Sequence, residues 1–287
     1  MFFFTPPGQT SSAHCSHYLT GIFKSNTNTN IFSIIFAEIL AKMAMHTVQN
    51  QKALIDHLQK SILKWEGYKA PSETHERMGL GPIEAAFPNQ VFPLGSIHEM
   101  ICANTEQATA CAGLVSGLLS VMMQKGGVCL WISLKDNIFP PALGSFGISP
   151  DRLIFIRVMN DPEALWVMEE ALKYPGLAAV VTEVRKLDFK QSRRLQLAVE
   201  YSHVTGFVLR NMPAKMAPTA SAARWIVKHL PSRLEDDMPG LGFPRWQVSL
   251  LKVRNGNPGK WMIEWTGDKF KLIEEQKSIH SLEQKAG

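Results

Sequence analysis

Paired cysteines, membrane-length apolar runs, nucleophile elbows and glycine-rich phosphate loops are all missing from this chain. Its four cysteines, Cys15, Cys102, Cys111 and Cys129, form no C-x-x-C pair, which speaks against a zinc ribbon or a thioredoxin-like redox centre. Cys111 and Cys129 stand in apolar contexts and read as buried free thiols of a reducing compartment. "HCSHY" at 14–18 has metal-ligating residue types, but nothing downstream completes a ligand set. His98, His203 and His229 lie in or beside strand-like runs with no G-x-S-x-G motif, so Ser/His/Asp catalysis has no support. The apolar run at 31–41 is too short to span a bilayer, and the first basic residue, Lys24, comes late for a secretory signal. A cytoplasmic protein without metal or membrane association is expected.

What is present is enough for a well-packed core. The chain has 287 residues, 45% of them hydrophobic, with 19% charged and seven tryptophans, which argues against general disorder. The net charge of +5 is unevenly placed. Residues 1–206 balance 17 Lys/Arg with 17 Asp/Glu, whereas residues 207–287 carry 13 against 8. The whole excess lies in the C-terminal part, which suggests an anionic partner there.

Residues 1–44, with the polar "SNTNTN", read as disordered or as lying upstream of the true start at Met43 or Met45. Residues 45–66 predict an amphipathic helix in which Leu54, Ile55, Leu58 and Ile62 share a face, a candidate partner interface. Residues 67–79 read as a linker whose Gly/Pro punctuation continues to residue 90. A single domain spans 80–273, and 274–287 read as a flexible tail. Inside the domain, "VCLWIS", "RLIFIRV", "LAAVV" and "GFVLR" read as strands, the first three as buried on both faces. Asp161–Pro162–Glu163 and Asp188 open the helices between them. This β–β–α–β–α–β order predicts an α/β fold, a mostly parallel sheet flanked by helices. "ARWIVKHL", "RWQVSLLKVR" and "KWMIEW" follow with only turns between, the last two forming an antiparallel hairpin extension around "NGNPG". Trp225, Trp246, Trp261 and Trp265 in these runs read as core.

With the elements in place, several segments carry a family resemblance. "FPLGSIHEM", "DPEALWVMEEALKYPGLAAVVTEV", "DFKQSRRLQLAVEYSHVTGFVLR", "SAARW" and "GLGFPRWQVSLLKVRNGNPGKWMIEW" together cover roughly two thirds of the chain. In order and spacing they resemble the ImuA family, RecA-like bacterial proteins of damage-induced mutagenesis, which implies a RecA-like sheet. A phosphate loop needs glycine-freed amides, a lysine against the phosphate charge and a hydroxyl for Mg²⁺. Aligned on "IHEM", the motif's second glycine falls at Gln107, the lysine at Ala108 and the hydroxyl at Thr109. The catalytic glutamate's place is taken by Lys135 and the metal-binding aspartate's by Thr182. Glu183 comes one residue late, on the opposite face of its strand. A Walker-motif-less member with no ATPase activity and no cofactor is therefore expected.

The resemblance also implies partners: an ImuB-like homologue of Y-family polymerases, an error-prone replicative-type polymerase, and RecA itself. The expected role is a non-catalytic accessory of SOS-induced translesion synthesis. The loop at 210–224 occupies the position that contacts single-stranded DNA in RecA-like proteins, so Arg210, Asn211, Lys215 and Arg224 are candidate DNA contacts. Two other classes remain open at this point. One is a SulA-like division inhibitor binding FtsZ, and the other a single-stranded DNA-binding RecA paralogue or divergent ATPase.

Overall fold

A computed structural model describes residues 78–135, 138–212, 216–233 and 242–273, together with Leu54, His57 and Leu58. The chain divides into two units, Met1–Ala70 and Pro71–Gly287. In the first, the described residues are helical, and Leu54 and Leu58 are exposed; Ile55 and Ile62 lie outside the described residues.

The second unit is built on one sheet. Four strands are covered on both faces and so bury side chains that point alternately up and down, charged ones included. These are β1 (Ile97–Cys102), β2 (Val128–Ser133), β4 (Leu177–Val184) and β5 (Thr205–Asn211). With β3 (Leu153–Arg157), β6 (Ala223–Leu230), β7 (Arg245–Val253), β8 (Gly259–Trp265) and β9 (Phe270–Leu272), the order is β3-β2-β4-β5-β1-β6-β7-β8-β9. Strands β1 to β6 are mutually parallel, and β7, β8 and β9 continue antiparallel. The expected α/β class, the mostly parallel sheet and the β7–β8 hairpin are all present. The short β9 extends it further, with Phe270 edge-on to Trp265 at 4.8 Å.

Helices cover the two faces separately. Helix α1 (Thr105–Met122) lays Leu114 and Leu118 into a core with Met100, Trp131, Val181 and Phe207. Helices α2 (Asp161–Ala171) and α3 (Phe189–Ser202) bring Met168, Leu195 and Val199 against Ile97, Ile132, Val180 and Val208 on the other face. Asp188 caps α3 in a capping box with Gln191. The cap of α2 is Asn160, whose side chain accepts from Glu163 N. Asp161, expected in that role, instead accepts from the amides of Arg185 and Lys186.

Two other expectations are corrected. "RLIFIRV" has the pattern of a doubly buried strand, yet β3 is the sheet edge, with Ile154 and Phe155 exposed on opposite faces. The stretch before β1 is not a bare linker. Met78, Leu80, Ile83, Phe87 and Phe92 are buried in the α1-side core, and Ala86 O accepts from Asn257 N in the β7–β8 turn. Trp225, Trp246 and Trp265 are core residues as expected, and Trp261 packs against them partly buried.

Candidate functional site

In open α/β sheets, ligands bind beyond the C-terminal ends of the parallel strands. Here that edge is formed by Cys102, Ser133, Val184 and Asn211. Between the end of β1 and the start of α1 stand only Ala103 and Asn104. The Asn104 side chain accepts from Gln107 N at 2.8 Å, and Gln107 Oε1 accepts from Ala103 N at 3.1 Å. This reciprocal cap occupies amides that a phosphate would otherwise use. Thr109 Oγ1, the one motif side chain retained, donates to Thr105 O at 3.1 Å, within its own helix. Ala108 is half-buried against the core. Glu106 is exposed and lies 3.5 Å from His229 Nδ1.

The neighbouring strand ends are equally altered. Thr182 is buried, and its Oγ1 has no hydrogen-bond partner among the described residues. Glu183 does point to the opposite face, on the α1 side, as pleating dictates. It accepts from Trp131 Nε1 at 3.4 Å and from Asn211 Nδ2 at 3.3 Å. Lys135 is exposed just past β2. The structure therefore gathers Gln107, Ala108 and Thr109 on one helical turn and joins Asn211 to Glu183. No group of three or more His, Cys, Asp or Glu able to hold a metal occurs among the described residues. Cys102, Cys111 and Cys129 are free and buried, and burial raises the Cys129 thiol pKa.

Arg210 and Arg224, named above as candidate DNA contacts, are drawn into the interior. Both guanidinium groups converge on Glu99, which has no exposure at all. Arg210 Nη1 lies 2.6 Å from Glu99 Oε1, and Arg224 Nε lies 2.9 Å from Glu99 Oε2. Thr219 Oγ1 donates to the same carboxylate at 2.6 Å, and Lys252 Nζ donates to Thr219 O at 2.7 Å. A buried charge is tolerated only when paired and hydrogen-bonded, so these arginines pin the 216–222 segment and β6 to β1. Lys215 lies outside the described residues. Glu99 was the legible clue: a carboxylate inside "IHEMIC" requires cationic partners somewhere in the fold.

Next to Glu99, on the other face, His98 is fully buried and stacked on Phe92 at 4.5 Å. Its Nδ1 accepts from Trp225 Nε1 at 3.3 Å, which leaves Nε2 to donate to Pro93 O at 3.0 Å. Burial lowers its pKa to about 4, so the ring is neutral and structural. None of the described helices is long and apolar enough to cross a membrane.

This fold and this corner define the class: an α/β protein with a mostly parallel sheet, extended by antiparallel strands, whose first strand-to-helix connection is a capped two-residue turn rather than a phosphate loop. Within that class, the chain belongs to the ImuA family. It is 35% identical over 197 residues to Protein ImuA of Caulobacter vibrioides, in strain NA1000 / CB15N and in strain ATCC 19089 / CIP 103742 / CB 15 alike. The match covers 63% of this chain and 80% of those proteins. No family model matches the chain. The solved structure of the RadB recombinase is similar at a TM-score of 0.48 and 14% identity, over 69% of this chain and 99% of that one.

Proposed function

We propose that this protein is a non-catalytic docking module of damage-induced mutagenesis, working beside an ImuB-like polymerase homologue without nucleotide-driven switching. The observation that supports it is the β1–α1 turn, where Asn104 and Gln107 side chains hold the amides of a loop two residues long. ATP brings roughly four negative charges, and the first turn of α1 offers Glu106 and Ala108 where a lysine would meet them. The partner surface in this reading is the apolar stripe of Leu54, Ile55, Leu58 and Ile62. Leu54 and Leu58 are exposed, and a helix this short needs a surface on which to bury them.

Two measurements on the full chain test the reading. A fluorescent ATP analogue with Mg²⁺ gives no saturable binding at sub-millimolar nucleotide. A Kd below about 10 µM, worth roughly 7 kcal/mol, overturns the non-catalytic reading. Leu58→Asp weakens association with the ImuB-like partner while the thermal midpoint of the 71–287 unit holds. Burying three such apolar side chains contributes about 5–8 kcal/mol before ordering costs, so the effect on the complex is large. A fall in that midpoint with association intact removes the helix as the interface.

A further inference from the structure

The C-terminal charge excess becomes a surface once β6 to β9 are in register. Val227, Trp246, Val248, Ile263 and Trp265 face the α1-side core. Alternation therefore turns Arg224, Ile226 and Lys228 of β6 the other way, with Arg245, Gln247 and Ser249 of β7. Lys260, Met262 and Glu264 of β8 and Lys271 of β9 follow on the same face. The Arg245–Glu264 contact at 3.5 Å and the hydrogen bond from Lys252 to Thr219 O confirm that orientation.

This face is open among the described residues. Helices α2 and α3 pack over the parallel strands, and among the described residues the 216–222 segment borders the face through Arg224 and Lys252. Lys228, Lys252, Lys260 and Lys271 are exposed, while Ile226, Gln247, Ser249 and Met262 between them are half-exposed. The face's carboxylates are already engaged, Glu99 by Arg210 and Arg224, and Glu264 by Arg245. Lysines that only guard against edge pairing sit on edge strands, but Lys252 and Lys260 lie on the interior strands β7 and β8. The Lys252 pKa is lowered, first by burial and then by Arg224 and Arg254, against an opposing pull from Glu99.

We infer that this open face of β6–β9 binds the phosphate backbone of a nucleic acid without reading its sequence. Charge complementarity selects a polyanion. Composition selects nucleic acid over an acidic protein, because protein interfaces are poor in lysine and rich in aromatics, whereas nucleic-acid interfaces are strongly cationic. Among the described residues the face carries no aromatic for base stacking, so contacts go to phosphates, and affinity depends on salt rather than sequence. The face borders the 210–224 loop at Arg224 and Thr219, but its exposed cations are Lys228, Lys252, Lys260 and Lys271, because Arg210 and Arg224 are committed to Glu99.

The test is fluorescence anisotropy of a labelled mixed-sequence single-stranded oligonucleotide, titrated with the full chain across a series of NaCl concentrations. The wild type binds at low salt. The triple variant Lys228→Ala/Lys260→Ala/Lys271→Ala flattens the log–log salt slope by about 2, near 0.7 for each phosphate no longer neutralised. Changing the same lysines to arginine retains the slope, which separates the removal of charge from a failure to fold. An unchanged slope in the alanine variant overturns the inference, as does absence of wild-type binding at low salt. Should polyglutamate bind where the oligonucleotide does not, the face is an acidic-protein dock and the inference is equally overturned.

Discussion

Glu99→Gln isolates the buried charge network, because glutamine keeps the shape of the side chain and removes only its charge. In the wild type one carboxylate with no exposure accepts from Arg210, Arg224 and Thr219. The variant leaves two largely buried guanidinium groups facing a neutral amide, with the Lys252 ammonium bonded to Thr219 O nearby. Breaking a buried pair by deleting one member costs about 3–5 kcal/mol, mostly as the uncompensated charge of the other. For a unit of this size each kcal/mol moves the midpoint by about 2–4 °C, so a fall of roughly 6–20 °C is expected. Circular dichroism during heating, with urea unfolding alongside, measures it. The double variant Glu99→Met/Arg210→Met falls less than the sum of its single changes, because each single change strands the other partner. A shift for Glu99→Gln of under about 2 °C, at most about 1 kcal/mol, refutes the assignment of these groups as a buried ion cluster.

Two further outcomes follow from the same geometry. The folded-state pKa of His98 is about 4, below the ordinary 6.5, so between those values the unfolded chain binds a proton that the folded one refuses. Its contribution is complete above pH 6.5 and is lost as pH falls to 4, about 3 kcal/mol in urea midpoints; His98→Phe flattens that limb, and an unchanged limb assigns the acid sensitivity elsewhere. A methyl group added at Gly256 would clash with Ala86 O, so Gly256→Ala displaces the β7–β8 turn from the 81–86 segment. It costs about 1–3 kcal/mol in thermal or urea unfolding, and a neutral result means the turn yields without loss.

The interior of the sheet was legible because its strands have a pattern that only one environment satisfies. "VCLWIS" and "LAAVV" cannot be covered on one side alone, and they lie in mid-sheet. "RLIFIRV" carries the same pattern and sits at the edge, since a local run of apolar residues does not say how many neighbours it has. The α2 cap was misplaced by a single residue because Asn160 and Asp161 are equally good caps; the amides of Arg185 and Lys186 claim the aspartate. At the candidate site, the missing lysine and glycines were visible letter by letter. The shortness of the turn was not, because a gap-free alignment on "IHEM" assigns Glu106 to a loop that α1 has absorbed. The pairing of Arg210 and Arg224 with Glu99 was not legible for a related reason. Their partner is 111 and 125 residues away in sequence, and only the pairing of β1 with β5 and β6 brings it to them.

The two-residue turn after β1 also bears on how such a protein can change over evolutionary time. A lysine restored at position 108 by one codon change would emerge from the first turn of a capped helix, on a half-buried position. No loop would be waiting to wrap a phosphate. Recovering that loop requires inserting residues and releasing Asn104 and Gln107 from the amides they hold, several coordinated events with no benefit until the last. Point mutation alone therefore does not open a phosphate loop at this corner, because the backbone of the turn, and not only its side chains, would have to change.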